Sequence, residues 1–81
     1  MYTVYAIKSL LSNRIYFGQT NNIERRLEEH NSKMVKSTKA DSPWELMAVE
    51  MFSSRGEAMW MEKSLKYSHD KRNRWIRKNK I

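Results

Sequence analysis

Eighty-one residues without a single cysteine leave this chain few ways to hold a fold together. Disulfides and thiolate metal sites are both excluded, and a domain this short buries only about 60% of its unfolded surface. Its core must come from closely packed bulk, which two Phe, four Tyr, three Trp and six Met supply. The length allows one domain, residues 1–81. At 40% hydrophobic and 31% charged, the composition suits a globule rather than a disordered chain.

The pattern along the chain defines an α+β fold. Residues 2–8, β-branched and aromatic, read as a strand, and 14–18 as a second. The short link through Ser12 and Asn13 joins them as an antiparallel hairpin. In the second strand Ile15 and Phe17 share one face, and Arg14, Tyr16 and Gly18 the other. Residues 21–31 read as a helix, with Asn21 as N-cap and Glu24 at the reciprocal capping position. The polar, basic stretch 32–42 lacks periodicity and reads as a loop. Pro43 opens a third strand, 44–52, whose nearly unbroken apolar run marks it as the central strand. Ser54 caps a second helix running to about Ser68, with Glu57 three residues on. The tail has room for a short third helix carrying Trp75 and Ile76. The expected architecture is a three-stranded antiparallel sheet flanked by helices in the order β-β-α-β-α, with or without that last helix.

Charge narrows the function. A net +7 favours a polyanion, nucleic acid before an anionic membrane surface. No stretch is long and apolar enough to span a bilayer, and the N-terminal segment lacks the basic start of a signal peptide. The expected location is the cytoplasm.

The sharpest signal is positional. At 100° per residue, Ile23 and Leu27 define the inward stripe of the first helix. His30 falls within about 20° of Ile23 and Arg26 about 60° to the same side, whereas Arg25 faces away. On the second helix Glu62 lies in the stripe of Ala58, Met61 and Leu65, and Trp60 and Tyr67 point outward. A carboxylate in an apolar stripe is costly unless it is paired or binds a metal. Glu62 can be read as half of an ion pair with Arg26 or a lysine, His30 as a core histidine, and the tyrosines as ordinary strand residues. That reading leaves unexplained why Tyr5, Tyr16, Arg26, His30 and Glu62 all converge on one side of one small sheet.

These residues together resemble the GIY-YIG endonuclease superfamily. Thr3-Val4-Tyr5 stands where the family has its first triplet, and Tyr16-Phe17-Gly18 where it has its second. The stretch 16–31 is similar to the family's strand-to-helix segment, with Arg26 at the arginine position and His30 four residues on. Residues 57–66 resemble the second helix and put Glu62 at the metal-binding glutamate. The likeness spans essentially the whole chain. Thr3 and Phe17 depart from the family's glycine and isoleucine, and Gln19 stands where some members have a lysine. Asn73 is the candidate for the family's later asparagine.

The resemblance implies a phosphodiester hydrolase acting on DNA with Mg²⁺ or Mn²⁺ and no small-molecule cofactor. Glu62 is the expected metal ligand, since Mg²⁺ often takes only one or two carboxylates and completes its shell with water and substrate. Arg26 would grip the phosphate, and His30 would hydrogen-bond the phosphate or the attacking water. One of Tyr5 and Tyr16 would be the general base and the other would orient water. Gly18 would permit close approach of backbone or substrate. Lys33, Lys36, Lys39, Arg72, Arg74, Arg77 and Lys78 are the expected phosphate contacts. Trp75 is read as docked into the core in preference to stacking on a base. The alternatives are an inactive nucleic-acid-binding module of the same fold and a protein–protein adaptor using Trp60 and Tyr67. DNA structure preferred, pathway and oligomeric state are not legible.

Overall fold

A computed structural model describes all 81 residues. Three strands, β1 (Tyr2–Ser9), β2 (Ile15–Thr20) and β3 (Trp44–Phe52), form one sheet in the order β2-β1-β3, and both pairings are antiparallel. Helix α1 (Ile23–Asn31) follows the hairpin, and α2 (Arg55–Tyr67) and α3 (His69–Asn79) follow β3. The fold is the expected α+β arrangement with the third helix fully formed.

The central strand is β1, not β3 as its apolar run implies. β3 is apolar on both sides because both faces of the sheet are covered, and a bulge adds to the effect: Ala6 pairs with Ala48 but Ile7 with Leu46, so Met47 is an extra residue on β3. The bulge breaks the in–out alternation and lets both sides of an edge strand look apolar. The free edge of β3 is partly covered by the C-terminus, where the Ile81 N–H donates to the Met47 carbonyl at 3.1 Å.

The helix caps follow local chemistry. α1 starts one residue later than expected: Asn22, in extended backbone, accepts from the Arg25 N–H, so Glu24 does not sit at the reciprocal position. Ser54 caps α2 through the Glu57 N–H as expected. Ser68 ends α2 and at once caps α3, which forces a tight corner between them.

The sheet is covered on both faces. On one, Val4, Ala6, Phe17 and Ala48 pack with Ala58 and Leu65 of α2 and Trp75 of α3. On the other, Tyr5, Ile7 and Trp44 pack with Tyr16 and with Ile23 and Leu27 of α1. Trp75 is docked, as expected: it is buried, meets Phe17 edge-on, and donates its indole N–H to Glu50 at 2.8 Å.

Candidate active site

The hairpin register puts both tyrosines on the α1 face. Tyr5 sits opposite Gly18, and Ile7 opposite Tyr16. The phenol of Tyr5 lies across Gly18: a Cβ there would stand 2.5 Å from the Tyr5 hydroxyl oxygen. The glycine is therefore required by the protein's own tyrosine, not by an approaching backbone or substrate.

α1 delivers His30 onto that phenol. The Tyr5 hydroxyl and His30 Nε2 are 2.8 Å apart, and His30 Nδ1 lies 2.7 Å from the Thr38 hydroxyl. Thr38 in turn donates to the Val35 carbonyl at 3.4 Å. With its proton committed there, Thr38 accepts from Nδ1–H, which leaves Nε2 to accept the proton of Tyr5. The chain of bonds runs from Tyr5 to His30 to Thr38 to Val35, and His30 and Thr38 are fully buried. Burial is the main cause that lowers the His30 pKa to about 4, and the nearby Arg26 adds to it against the opposing field of Glu29. The imidazole is neutral at pH 7, in keeping with that pattern of bonds. Burial likewise pushes Tyr5 up to about 12, although the Arg26 guanidinium against its hydroxyl pulls the other way.

His30 thus has no nitrogen left for a phosphate or a water. In place of the expected direct contact, the structure shows a histidine bonded to Tyr5 through one nitrogen and to Thr38 through the other. Thr38 carries no signal in the sequence, since it sits in a segment without periodicity and only the folded loop brings it behind the imidazole.

Arg26 stands at the mouth of this buried chain, beside Tyr5 and 3.0 Å from Glu29. The neighbouring Tyr5 hydroxyl is the main cause that raises its pKa still further. Arg25 lies outward and exposed, as the helical angle predicts. Tyr16 is the more accessible tyrosine: it is half-buried, edge-on to His30 and Trp44, with the Lys66 ammonium 5.7 Å from its ring centre.

Glu62 arrives from the other direction. Its helix packs on the opposite face of the sheet, so it does not share the tyrosines' side as expected, and the side chain of that helix found at Tyr16 is Lys66. Glu62 lines a cavity of about 340 Å³ with Gln19, Lys63 and Lys66. Its carboxylate pairs with Lys66 at 3.0 Å, one helical turn on, and both side chains remain partly open to solvent. One ammonium therefore touches Glu62 and covers Tyr16. No group of three or more His, Asp or Glu side chains could cage a metal by itself. A hard cation fits here only if water and substrate oxygens complete its shell around Glu62.

A second cavity of about 340 Å³ opens beside Arg26, lined by Tyr2, Gln19, Arg25, Arg26, Glu29 and Arg55 among others. Gln19 borders both cavities.

The expected phosphate contacts divide by location. Lys33, Lys36 and Lys39 are exposed on the segment after α1. Arg72 is drawn into the fold: its guanidinium donates to the carbonyls of Leu65 and Lys66 and lies over Phe17. Arg74, Arg77, Lys78 and Asn73 stand on α3, which packs on the face away from the tyrosines.

A paired-tyrosine hairpin, an arginine at the helix behind it and a lone glutamate at the sheet edge define a GIY-YIG nuclease-type domain. The family model for the GIY-YIG catalytic domain matches residues 1–77, and the chain belongs to that family. Its relatives lie among the UPF0213 proteins. One from Staphylococcus haemolyticus is 44% identical over 64 residues, covering 78% of this chain and 77% of the relative. Another, from Natronomonas pharaonis, is 38% identical over 64 residues, covering 78% and 74%. The solution NMR structure of a UPF0213 protein from Bacillus halodurans superposes with a TM-score of 0.58 at 32% identity, covering 94% of this chain and 83% of that one. The GIY-YIG family is one of nucleases that act on nucleic acids and generally use divalent metal ions. No helix is long and apolar enough to cross a membrane.

Proposed function

We propose that this chain is a metal-dependent endonuclease that hydrolyses phosphodiester bonds in DNA. The observation that carries the reading is the meeting at the β2 edge of Tyr16 and Glu62, joined by Lys66, with Arg26 close to Tyr5 on the adjoining face.

Each group has a role its surroundings favour. Glu62 would hold Mg²⁺ or Mn²⁺, an ion that when bound neutralises phosphate charge and makes a bound water more acidic. Arg26, a permanent cation with a planar fork of donors, grips the non-bridging oxygens as negative charge builds on them. Tyr16, the accessible tyrosine, would act as general base after its own phenolic proton has passed to solvent, and the phenolate then takes the proton from the attacking water. Tyr5 has its own proton engaged by His30, so its outward lone pairs accept from water and from Arg26 and hold both in line. His30 is a positioning residue. Lys33, Lys36 and Lys39 contact flanking phosphates on the tyrosine side. Arg74, Arg77 and Lys78 contribute to the long-range field that draws in the polyanion, and Arg72 supports the fold. DNA of the cytoplasm is the substrate this reading favours.

The test is cleavage of labelled single-stranded, duplex and branched DNA with Mg²⁺ or Mn²⁺, comparing wild type with Glu62→Ala. Cleavage lost in the variant while binding persists is the expected result. Binding without cleavage by wild type would make the chain a binding module, and neither activity would turn attention to an adaptor surface at exposed Trp60 and Tyr67.

A further inference from the structure

The cavity beside Arg26 is more than the reaction at one phosphate requires. Three guanidinium groups, those of Arg25, Arg26 and Arg55, line it against a single carboxylate, Glu29. Glu29 is shared, at 3.0 Å from Arg26 and 3.9 Å from Arg25. Arg55 pairs with no carboxylate anywhere in the protein. Three positive charges less one negative leave two unneutralised around one opening. These cations come from the first turns of two different helices, α1 and α2, so only the folded chain assembles them. Surface cations repel one another and are normally spread apart, so their convergence on a concavity of about 340 Å³ needs a reason.

We infer that Arg25 and Arg55, with the Tyr2 hydroxyl, form a second phosphate subsite that holds a backbone phosphate flanking the scissile one. This rests on the reading above that the chain grips nucleic acid. Two features point to phosphate over a base. The lining is polar and offers no pair of aromatic planes between which a base would stack, Tyr2 being its one aromatic. Arginine forks match the tetrahedral oxygens of a phosphate in a way that a point charge does not. Continuity is the third feature. Gln19 forms the shared wall between this cavity and the one holding Glu62, so a strand lying across Gln19 presents neighbouring phosphates to both. Arg26 lines the subsite on one side and abuts Tyr5 on the other, which makes it the link between the two phosphates. Arg25 and Arg55 touch no reacting atom on this view. They fix the register of the strand.

The experiment separates the subsite from the chemistry. Binding of a fluorescent oligonucleotide is measured in EDTA at several salt concentrations, for wild type, Arg55→Gln and Arg25→Gln/Arg55→Gln. Arg55 is exposed and unpaired, so the single variant keeps the test open should the double variant fold poorly. We expect the double variant to bind about tenfold more weakly and its salt slope to fall by about 1, the single variant following in part. An unchanged slope in both variants overturns the subsite. With cleavage conditions restored, an uncharged methylphosphonate next to the cut bond should raise KM about tenfold for wild type and change it little for the double variant, with kcat kept within threefold. An equal penalty in both proteins also overturns it. Complete absence of cleavage defeats the hydrolytic reading alone, because the salt slope still decides whether the second phosphate is held.

Discussion

The two faces of the sheet are built on opposite principles. The face under α2 and α3 is closed by Val4, Ala6, Phe17, Ala48, Ala58, Leu65 and Trp75, and few hydrogen bonds are asked of it. The face under α1 buries a tyrosine, a histidine and a threonine in series between Ile7 and Trp44. Apolar burial is non-directional and tolerates small shifts, whereas a buried polar chain is stable only when each member meets its partner. No buried side-chain polar atom in the protein lacks one. One face therefore supplies stability, and the other supplies a fixed geometry at some cost to it.

Crossing the two faces by mutation breaks or sharpens that contrast. Arg26→Ala should lower turnover by about a thousandfold, roughly 4 kcal/mol of barrier, with little change in unfolding free energy. Arg25→Ala should leave turnover within threefold. Leu65→Ala on the other face should do the reverse: about 3 kcal/mol of stability lost, with the rate per folded molecule kept. A domain of this size holds about 4 to 12 kcal/mol in all, so denaturant melts will register the loss clearly. Should Leu65→Ala selectively abolish turnover, or Arg26→Ala unfold the protein, the division of labour fails.

The polar face also has a pH signature. His30 has its folded pKa lowered to about 4, below the ordinary 6.5. Between those values the unfolded chain binds a proton that the folded chain does not, so stability falls as pH falls through that window and is unaffected by His30 above it. The loss by pH 4 is at most about 3 kcal/mol. His30→Gln cannot titrate, and its melting temperature should vary less with pH across the same range. Parallel curves for the two proteins would mean that the imidazole is not held neutral.

How much of this was legible in the sequence depended on whether a residue's role was local. Helix α1 showed its inward stripe, and with it the contrast of Arg26 and Arg25, because 3.6-residue geometry is fixed by the backbone alone. The Ser54 cap and the hairpin are equally local. The apolar run of β3 misleads about its place because an edge strand covered on both faces looks like a central one, and the bulge at Met47 shows only once a partner strand is paired. The grouping of Tyr5, Arg26 and His30 was legible, but a convergence of all five on one side was not what forms, since Glu62 stands on a helix that packs on the far face. Thr38, Tyr2 and Arg55 carried no signal at all: each gains its meaning from a neighbour distant in sequence.

The smallest expected effect bears hardest on the rest. Glu62 lies in the apolar stripe of α2, and the bland explanation for it is a structural ion pair. Its one partner is Lys66, at 3.0 Å, four residues on and with both side chains partly exposed. Pairs of that kind contribute about 0.3 to 0.5 kcal/mol, screened further by salt. Glu62→Gln should therefore shift the unfolding free energy by no more than about 0.5 kcal/mol, while the Leu65→Ala change three residues away costs several times as much. On the proposed reading, a carboxylate with so little to do for stability is free to hold a metal ion with the substrate. A loss of 2 kcal/mol or more on Glu62→Gln would instead make the Lys66 contact a buried strut of the kind whose removal strands a charge, and the case for a metal at that carboxylate would lose its footing.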